Sequence, residues 1–354
     1  MALPEIFTPT LWHGHEMVYG FAMATATGFL LTAVPNWTQS APLHGPALGW
    51  LALLWLAGRV VIWFSGVLPT GVVAGVDLLF IPVFIGVLLP GFIRSAQRKN
   101  IIFLVFLVVL FAGNLLIHLE ALGITKGTAL PGLHLGVYGF TVMLALLAGR
   151  LVPNFTANAL RAQGVQADIR SVPAVEKASF AFMIAMIVAD LAGAPAPLTG
   201  ALGLIAGLSL FLRMRYWHTA KTLKQPIVWI LHLGHAWLAL GFTIKGVAAL
   251  TGFIPESAAI HALTVGAIGT MMLGVMSRAA LGHTGHDLVT PKPVVLSYIL
   301  VTLAAVVRVS APLASTETAH LMVTVAGVFW IAAFGLFSLI YWPILTGPRA
   351  ARTL

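Results

Sequence analysis

Along this chain the apolar positions neither alternate nor keep to a narrow helical stripe; they form long runs separated by short polar breaks. Bounded by Pro, Gly and charged residues, the runs fall at roughly 14–34, 47–66, 72–93, 100–122, 134–153, 178–194, 198–216, 227–250, 259–282, 294–313 and 318–342. A helix of about 20 apolar residues crosses a hydrocarbon core about 30 Å thick. The pattern therefore predicts an all-α polytopic membrane protein of about eleven transmembrane helices. The run at 178–194 is short and breaks at Gly193-Ala194-Pro195, which predicts a tight hairpin between the sixth and seventh helices.

Composition narrows the classes further. Of 354 residues, 59% are hydrophobic and 8% charged, whereas a soluble domain is about 25% charged. Too few polar groups exist to cover a water-facing surface, and the spans leave no room for a separate soluble domain, so residues 1–354 read as one transmembrane domain. Nineteen Lys and Arg outnumber ten Asp and Glu, but no basic run with interleaved aromatics points to nucleic acid. Cysteine is absent, which excludes disulfides, thiolate chemistry, cysteine-ligated iron–sulfur clusters and c-type haem attachment. A metal would have to be held by His, Met, Tyr or carboxylate. Met1 to Thr10 has neither a basic nor an apolar signal region, so no cleavable leader is expected.

The charges test the span map. With strict alternation, fifteen of the Lys and Arg fall on one side, from Arg94 after the third span to Arg352 in the tail, and Lys126 alone lies in a loop on the other. The positive-inside rule makes the first side cytoplasmic, with the N-terminus outside and the C-terminus inside.

Two spans share a pattern over their whole length. His15-Glu16-Met17-Val18-Tyr19-Gly20-Phe21 matches His134-Leu135-Gly136-Val137-Tyr138-Gly139-Phe140, and Val34-Pro35-Asn36-Trp37-Thr38 matches Val152-Pro153-Asn154-Phe155-Thr156. A weaker third copy starts at His261, with Gly266 at the same offset. The copies are spans one, five and nine, which predicts four-helix units starting near 13, 134 and 261 about a pseudo-threefold axis. The repeated Val-Pro-Asn is accounted for as an ordinary helix stop; the repeated histidine is not.

An ionisable side chain within a span is a functional candidate by default. His13, His15, Glu16, Asp77, His118, Glu120, His134, Asp190, Lys245, His261, Arg308 and His320 fall toward the outer ends of their spans, with Arg59 deeper. An inner set holds His44, His218, His232, His235, His283 and His286. Neutral imidazole is the commonest nitrogen ligand for metals, and carboxylates such as Glu16 or Asp77 orient such ligands by accepting the other ring N–H. Each residue taken alone also fits an interfacial or packing role; the concentration of acids and histidines on one side is what argues for a site. His232 and His235 share a helix face, as metal ligands or as packing groups. Arg59 and Arg308 need partners in hydrocarbon, and Asp77 and Asp190 are the candidates.

Trp12-His13-Gly14-His15-Glu16-Met17, followed by Gly28 through Thr38, resembles the opening signature of the NnrS family. Gly149-Arg150-Leu151-Val152-Pro153-Asn154-Phe155-Thr156, Trp229 through Gly234, and His261 through His283 resemble the same family, so the likeness covers nearly the whole chain. It implies a bacterial inner-membrane protein of the nitric-oxide response that carries haem b and copper. The family is described with twelve spans, one of them before the first motif, so either the start of this sequence is placed late or this is a short member. Three four-helix units would resemble the haem–copper oxidase architecture, an analogy of fold alone. On this reading the candidate cofactor ligands are His13, His15, His134, His232, His235 and His261, with Arg59 and Arg308 for haem propionates. His13, His15, His118, His261 and His283 are the candidates for copper, and Glu16, Asp77 and Glu120 for a proton path from outside.

These residues suit a haem and copper protein that binds or reduces nitric oxide, with enzyme and sink or sensor both open and a respiratory electron donor as a partner. A transporter of a metal ion or small anion through the same His/carboxylate cluster is the alternative. Transporter repeats are usually inverted, whereas these copies share one orientation. A scaffold for respiratory complexes, with structural histidines, is the third reading.

Overall fold

A computed structural model describes residues 6–94 and 98–350, with the side chains at 98 and 99 left aside. Eleven long helices follow in order and no strand occurs among the described residues. They are α1 Pro9–Thr38, α2 Pro46–Trp63, α3 Thr70–Arg94, α4 Ile102–Ala121, α5 Ala129–Ala162, α6 Pro173–Leu191, α7 Ala196–Arg213, α8 Pro226–Thr251, α9 Glu256–Thr284, α10 Lys292–Ser310 and α11 Thr316–Thr346. All but α6 are long and apolar enough to cross a membrane, and the chain is a multi-pass membrane protein. α6 carries Glu176, Lys177 and Asp190, which sets it apart from the others in composition.

The chain divides into two compact units, Met1–Phe140 and Thr141–Leu354, with the division falling inside α5. In the first unit, α4 and the start of α5 pack through Gly113, Gly132 and Gly136, and the Tyr19 hydroxyl donates to Gly132 O at 3.4 Å. In the second, α6 and α7 form the predicted hairpin: Gly193 takes a positive φ of 64° and Ala194 N–H returns to Ala189 O at 2.8 Å. α7 and α8 meet at Gly203 and Gly246, where a Cβ on Gly203 would lie 2.9 Å from the Gly246 backbone. Small residues permit this approach where lipid offers no hydrophobic drive between helices.

The repeat has a structural basis that corrects one expectation. Pro35 and Pro153 do not end their helices: α1 continues to Thr38 and α5 to Ala162. Each proline removes one ladder hydrogen bond, and the neighbouring side chains restore local pairing in the same way in both copies. Asn36 and Asn154 donate to Thr32 O and Arg150 O at 2.8 and 2.7 Å, while Thr38 and Thr156 donate to Val34 O and Val152 O at 2.8 Å. Copies one and three share a second feature. A π-helical segment follows each motif histidine directly, Glu16–Ala22 after His15 and Ala262–Gly269 after His261. Such segments are rare and recur at functional sites. Copy two is α-helical throughout.

Candidate metal centre

The π-segment of α1 places His15 and Glu16 against α2, α3 and α4. The Gly20 carbonyl in this segment accepts from Trp55 Nε1 of α2 at 3.0 Å as well as from the Met23 N–H. One turn from Trp55, Arg59 donates to Glu16 Oε1 at 2.6 Å and to Asp77 Oδ1 of α3. From α4, His118 Nε2 lies 2.9 Å from Asp77 Oδ2, and Asn114 Nδ2 donates to the same oxygen at 2.8 Å. His15, Asp77, Asn114 and His118 are all buried. Phe7 covers the two imidazoles, with ring centroids 5.2 Å from His15 and 5.5 Å from His118.

Hydrogen positions follow from the acceptors. Asn114 Nδ2 donates to a carboxylate, so its oxygen faces His15 Nε2, 2.9 Å away; His15 Nδ1 lies 3.0 Å from Glu16 Oε1. Both ring nitrogens of His15 meet acceptors, and both must carry hydrogen. His15 and Arg59 then form two cations against the carboxylates of Glu16 and Asp77, a balanced buried network. Breaking such a network leaves a charge uncompensated, at a cost of about 3–5 kcal/mol. His118 spends its Nε2 hydrogen on Asp77, and its buried Nδ1 has no hydrogen-bond partner among the described residues.

The same atoms are arranged for a metal ion. One ligand atom each from His15, Asp77 and His118 lie within 4.8 Å of one another. His15 Nε2 and His118 Nε2 stand 3.3 and 2.9 Å from Asp77 Oδ2. Tetrahedral ligands at 2.0–2.2 Å from a metal are about 3.4 Å apart. A divalent ion would take the place of the ring hydrogens, with Glu16 and Arg59 as the groups that orient His15 and Asp77. A cavity of about 10 Å³ beside Arg59, Asp77 and Asn114 has room for one water-sized molecule.

The structure thus joins His15, Glu16, Arg59, Asp77 and His118 from the sequence set and adds Asn114. That residue was legible as an amide four positions before His118, on the same helix face. Glu120 does not join them: its Oε2 accepts from Ala129 N–H at 2.7 Å and caps α5. His13 and His283 are exposed, and His134 is half-buried with its ring 6.2 Å from Tyr138. His261 is half-buried, and its Nδ1 donates to Ser257 O at 2.6 Å. Asp190 pairs with Lys245 at 2.7 Å and not with half-buried Arg308.

His232 and His235 belong to a different environment in the second unit. Thr156 Oγ1 spends its hydrogen on Val152 O, so His232 Nε2–H donates to Thr156 at 2.8 Å, and Nδ1 accepts from Thr219 Oγ1 at 2.9 Å. His235 Nε2–H donates to Leu210 O at 3.2 Å. Trp217 packs on His235 with centroids 4.7 Å apart. Buried Arg213 holds Glu176 through two hydrogen bonds of 3.1 and 2.6 Å and reaches Ala145 O at 3.2 Å. A Cβ at Gly149 would overlap its guanidinium.

No curated protein and no solved structure matches the chain. A protein-family comparison does match, to the family described as NnrS protein, over residues 1–349. The buried His/Asp centre thus lies in a multi-pass membrane protein that belongs to the NnrS family, a membership that supports a role in the nitric-oxide response.

Proposed function

We propose that the protein holds copper between His15, His118 and Asp77 and binds or reduces nitric oxide near the outer face of the bacterial inner membrane. The observation that carries this reading is the convergence of two buried imidazoles and a buried carboxylate from three helices, all from the predicted outer set. Nitric oxide is small and uncharged and partitions into the bilayer, so a centre just inside the membrane surface is reachable. Glu16 is the outer proton carrier in this reading; Asp77, expected on that path, is taken up as a ligand, and Glu120, as the cap of α5, stands apart from them. Electrons for a reductive reaction come from a respiratory donor.

Haem b is the second group implied by the family. His232 and His235 do not fit it as folded, because the ring nitrogens of His232 are spent on Thr156 and Thr219 and Trp217 lies against His235. His261, with its Nδ1 tied to the Ser257 carbonyl, is the histidine that would hold the haem iron through Nε2. His134 and His13 are the other candidates, and Arg308 the candidate for a propionate. Bound haem would supply an iron that takes nitric oxide as a ligand.

The test is the visible spectrum of the detergent-purified protein, oxidised and reduced, with iron and copper assayed on the same sample. A Soret band that moves on reduction and on adding nitric oxide is expected, with copper present in the wild type and lost in His118→Ala. Undiminished copper in that variant overturns the assigned centre. His261→Ala with full haem removes His261 as the iron ligand. A colourless protein, after expression with ample haem, favours the transporter.

A further inference from the structure

Among residues 6–10 only Phe7 is buried: Ile6 is half-buried, and Thr8, Pro9 and Thr10 are exposed. Its ring turns inward just ahead of α1 and meets both imidazoles of the candidate centre. The ring centroids of Phe7, His15 and His118 stand 5.2, 5.5 and 5.6 Å apart, a nearly equilateral triangle. One phenyl ring thus joins the exposed start of α1 to the buried imidazoles. An ion gives up its water only to groups that replace the lost hydrogen bonds, and a phenyl ring replaces none. A small uncharged molecule has no such shell to lose.

The polar side of the centre is closed by charge. Glu16 and Arg59, with side chains 18% and 14% exposed, are tied together at 2.6 Å, and Glu16 also meets His15. At Phe7, by contrast, the chain is lightly held. Phe7 precedes the N-cap Thr8, whose carbonyl accepts the first ladder bond of α1 from Trp12 N–H at 2.8 Å, so the ring lies outside that ladder. Beside it, Ile6 N–H reaches Ser65 Oγ at 3.4 Å, at the long end of hydrogen-bond range. Phe7 can turn aside without unwinding α1.

We propose that Phe7 is the specificity-determining residue of the His15–His118 centre: its ring closes the approach from the start of α1, admitting small uncharged ligands and turning away hydrated anions and larger molecules. The ligand class rests on the metal reading of the preceding section, whereas the cover over the imidazoles does not.

Carbethoxylation by diethyl pyrocarbonate, followed by peptide mass spectrometry on the metal-free full chain in detergent, tests the cover. The reagent attacks an imidazole nitrogen that carries no hydrogen, and His118 Nδ1 is such an atom. In the wild type His118 should react many-fold more slowly than exposed His283. Phe7→Ala should raise its rate many-fold, and Phe7→Leu, which keeps an apolar plug, should raise it less. Buried His235 of the second unit should stay slow in every variant, which separates an opened cover from an unfolded chain; if Phe7→Ala exposes it, Phe7→Leu decides by the same comparison. A wild-type His118 as fast as His283, or a rate unmoved by these substitutions while His235 stays slow, overturns the cover. With copper added back, the wild-type spectrum should respond to nitric oxide and not to azide, and that of Phe7→Ala to both. Azide binding in the wild type overturns the selectivity, and so does a chain that takes up no copper; the carbethoxylation rates judge the cover in either case.

Discussion

The two histidine pairs of this protein are buried to a similar degree and bonded in opposite ways. In the first unit, His15 and His118 face a carboxylate, an amide oxygen and a guanidinium-held acid. In the second, His232 and His235 face threonine hydroxyls and a main-chain carbonyl. A carboxylate attracts a positive charge, whether a proton or a metal ion, whereas hydroxyls and a carbonyl hold an imidazole neutral and fixed. Burial alone therefore does not make a histidine a metal ligand; its partners decide.

Removing the carboxylate is the sharpest way to break this comparison. Asp77→Ala leaves Arg59 and His15 short of a counter-charge and should cost about 3–5 kcal/mol, read as a large drop in the thermal midpoint in detergent. An unchanged midpoint would mean that the network is not balanced as described. Next, Thr156→Val leaves the His232 Nε2–H buried without an acceptor and should cost about 1–3 kcal/mol, with metal content unchanged. Metal loss in that variant would contradict a role for Thr156 confined to His232. Gly149→Ala should cost a similar amount, about 1–3 kcal/mol, by overpacking against Arg213; a stable variant would show that the guanidinium has room to move.

The smaller effects sharpen the first site. Asn114→Ala keeps every ligand but loses the donor that orients Asp77, so metal affinity should fall about 10–100-fold. Titration with a competing chelator measures it, and wild-type affinity would rule out the orienting role. At the bottom of the scale, Asp168→Asn removes an exposed pair with Arg170 and should shift stability by less than about 0.5 kcal/mol.

How much of this was legible beforehand differs from residue to residue. His15, Glu16, Arg59, Asp77 and His118 each stand out as ionisable groups within apolar runs. Asn114 carries no charge and does not stand out among apolar residues, although its spacing to His118 places it on the same face. Glu120 looks like its neighbours in sequence, and only the start of α5 beside it makes it a cap. The Val-Pro-Asn repeat reads as a helix stop because proline lacks an N–H. Asn154 and Thr156 instead carry α5 through it.

The sequence by itself determined the ten long apolar helices, because a run of about 20 apolar residues has no stable place in water and in lipid satisfies its backbone within a helix. It also determined which residues were costly enough to need partners. Tertiary structure alone decided who those partners are. Asp77 is 62 positions from His15 and 41 from His118, and no local periodicity records which oxygen faces which ring. Only the packing of α1 to α4, with a π-turn that realigns Glu16 toward Arg59, turns separate charged residues into one centre.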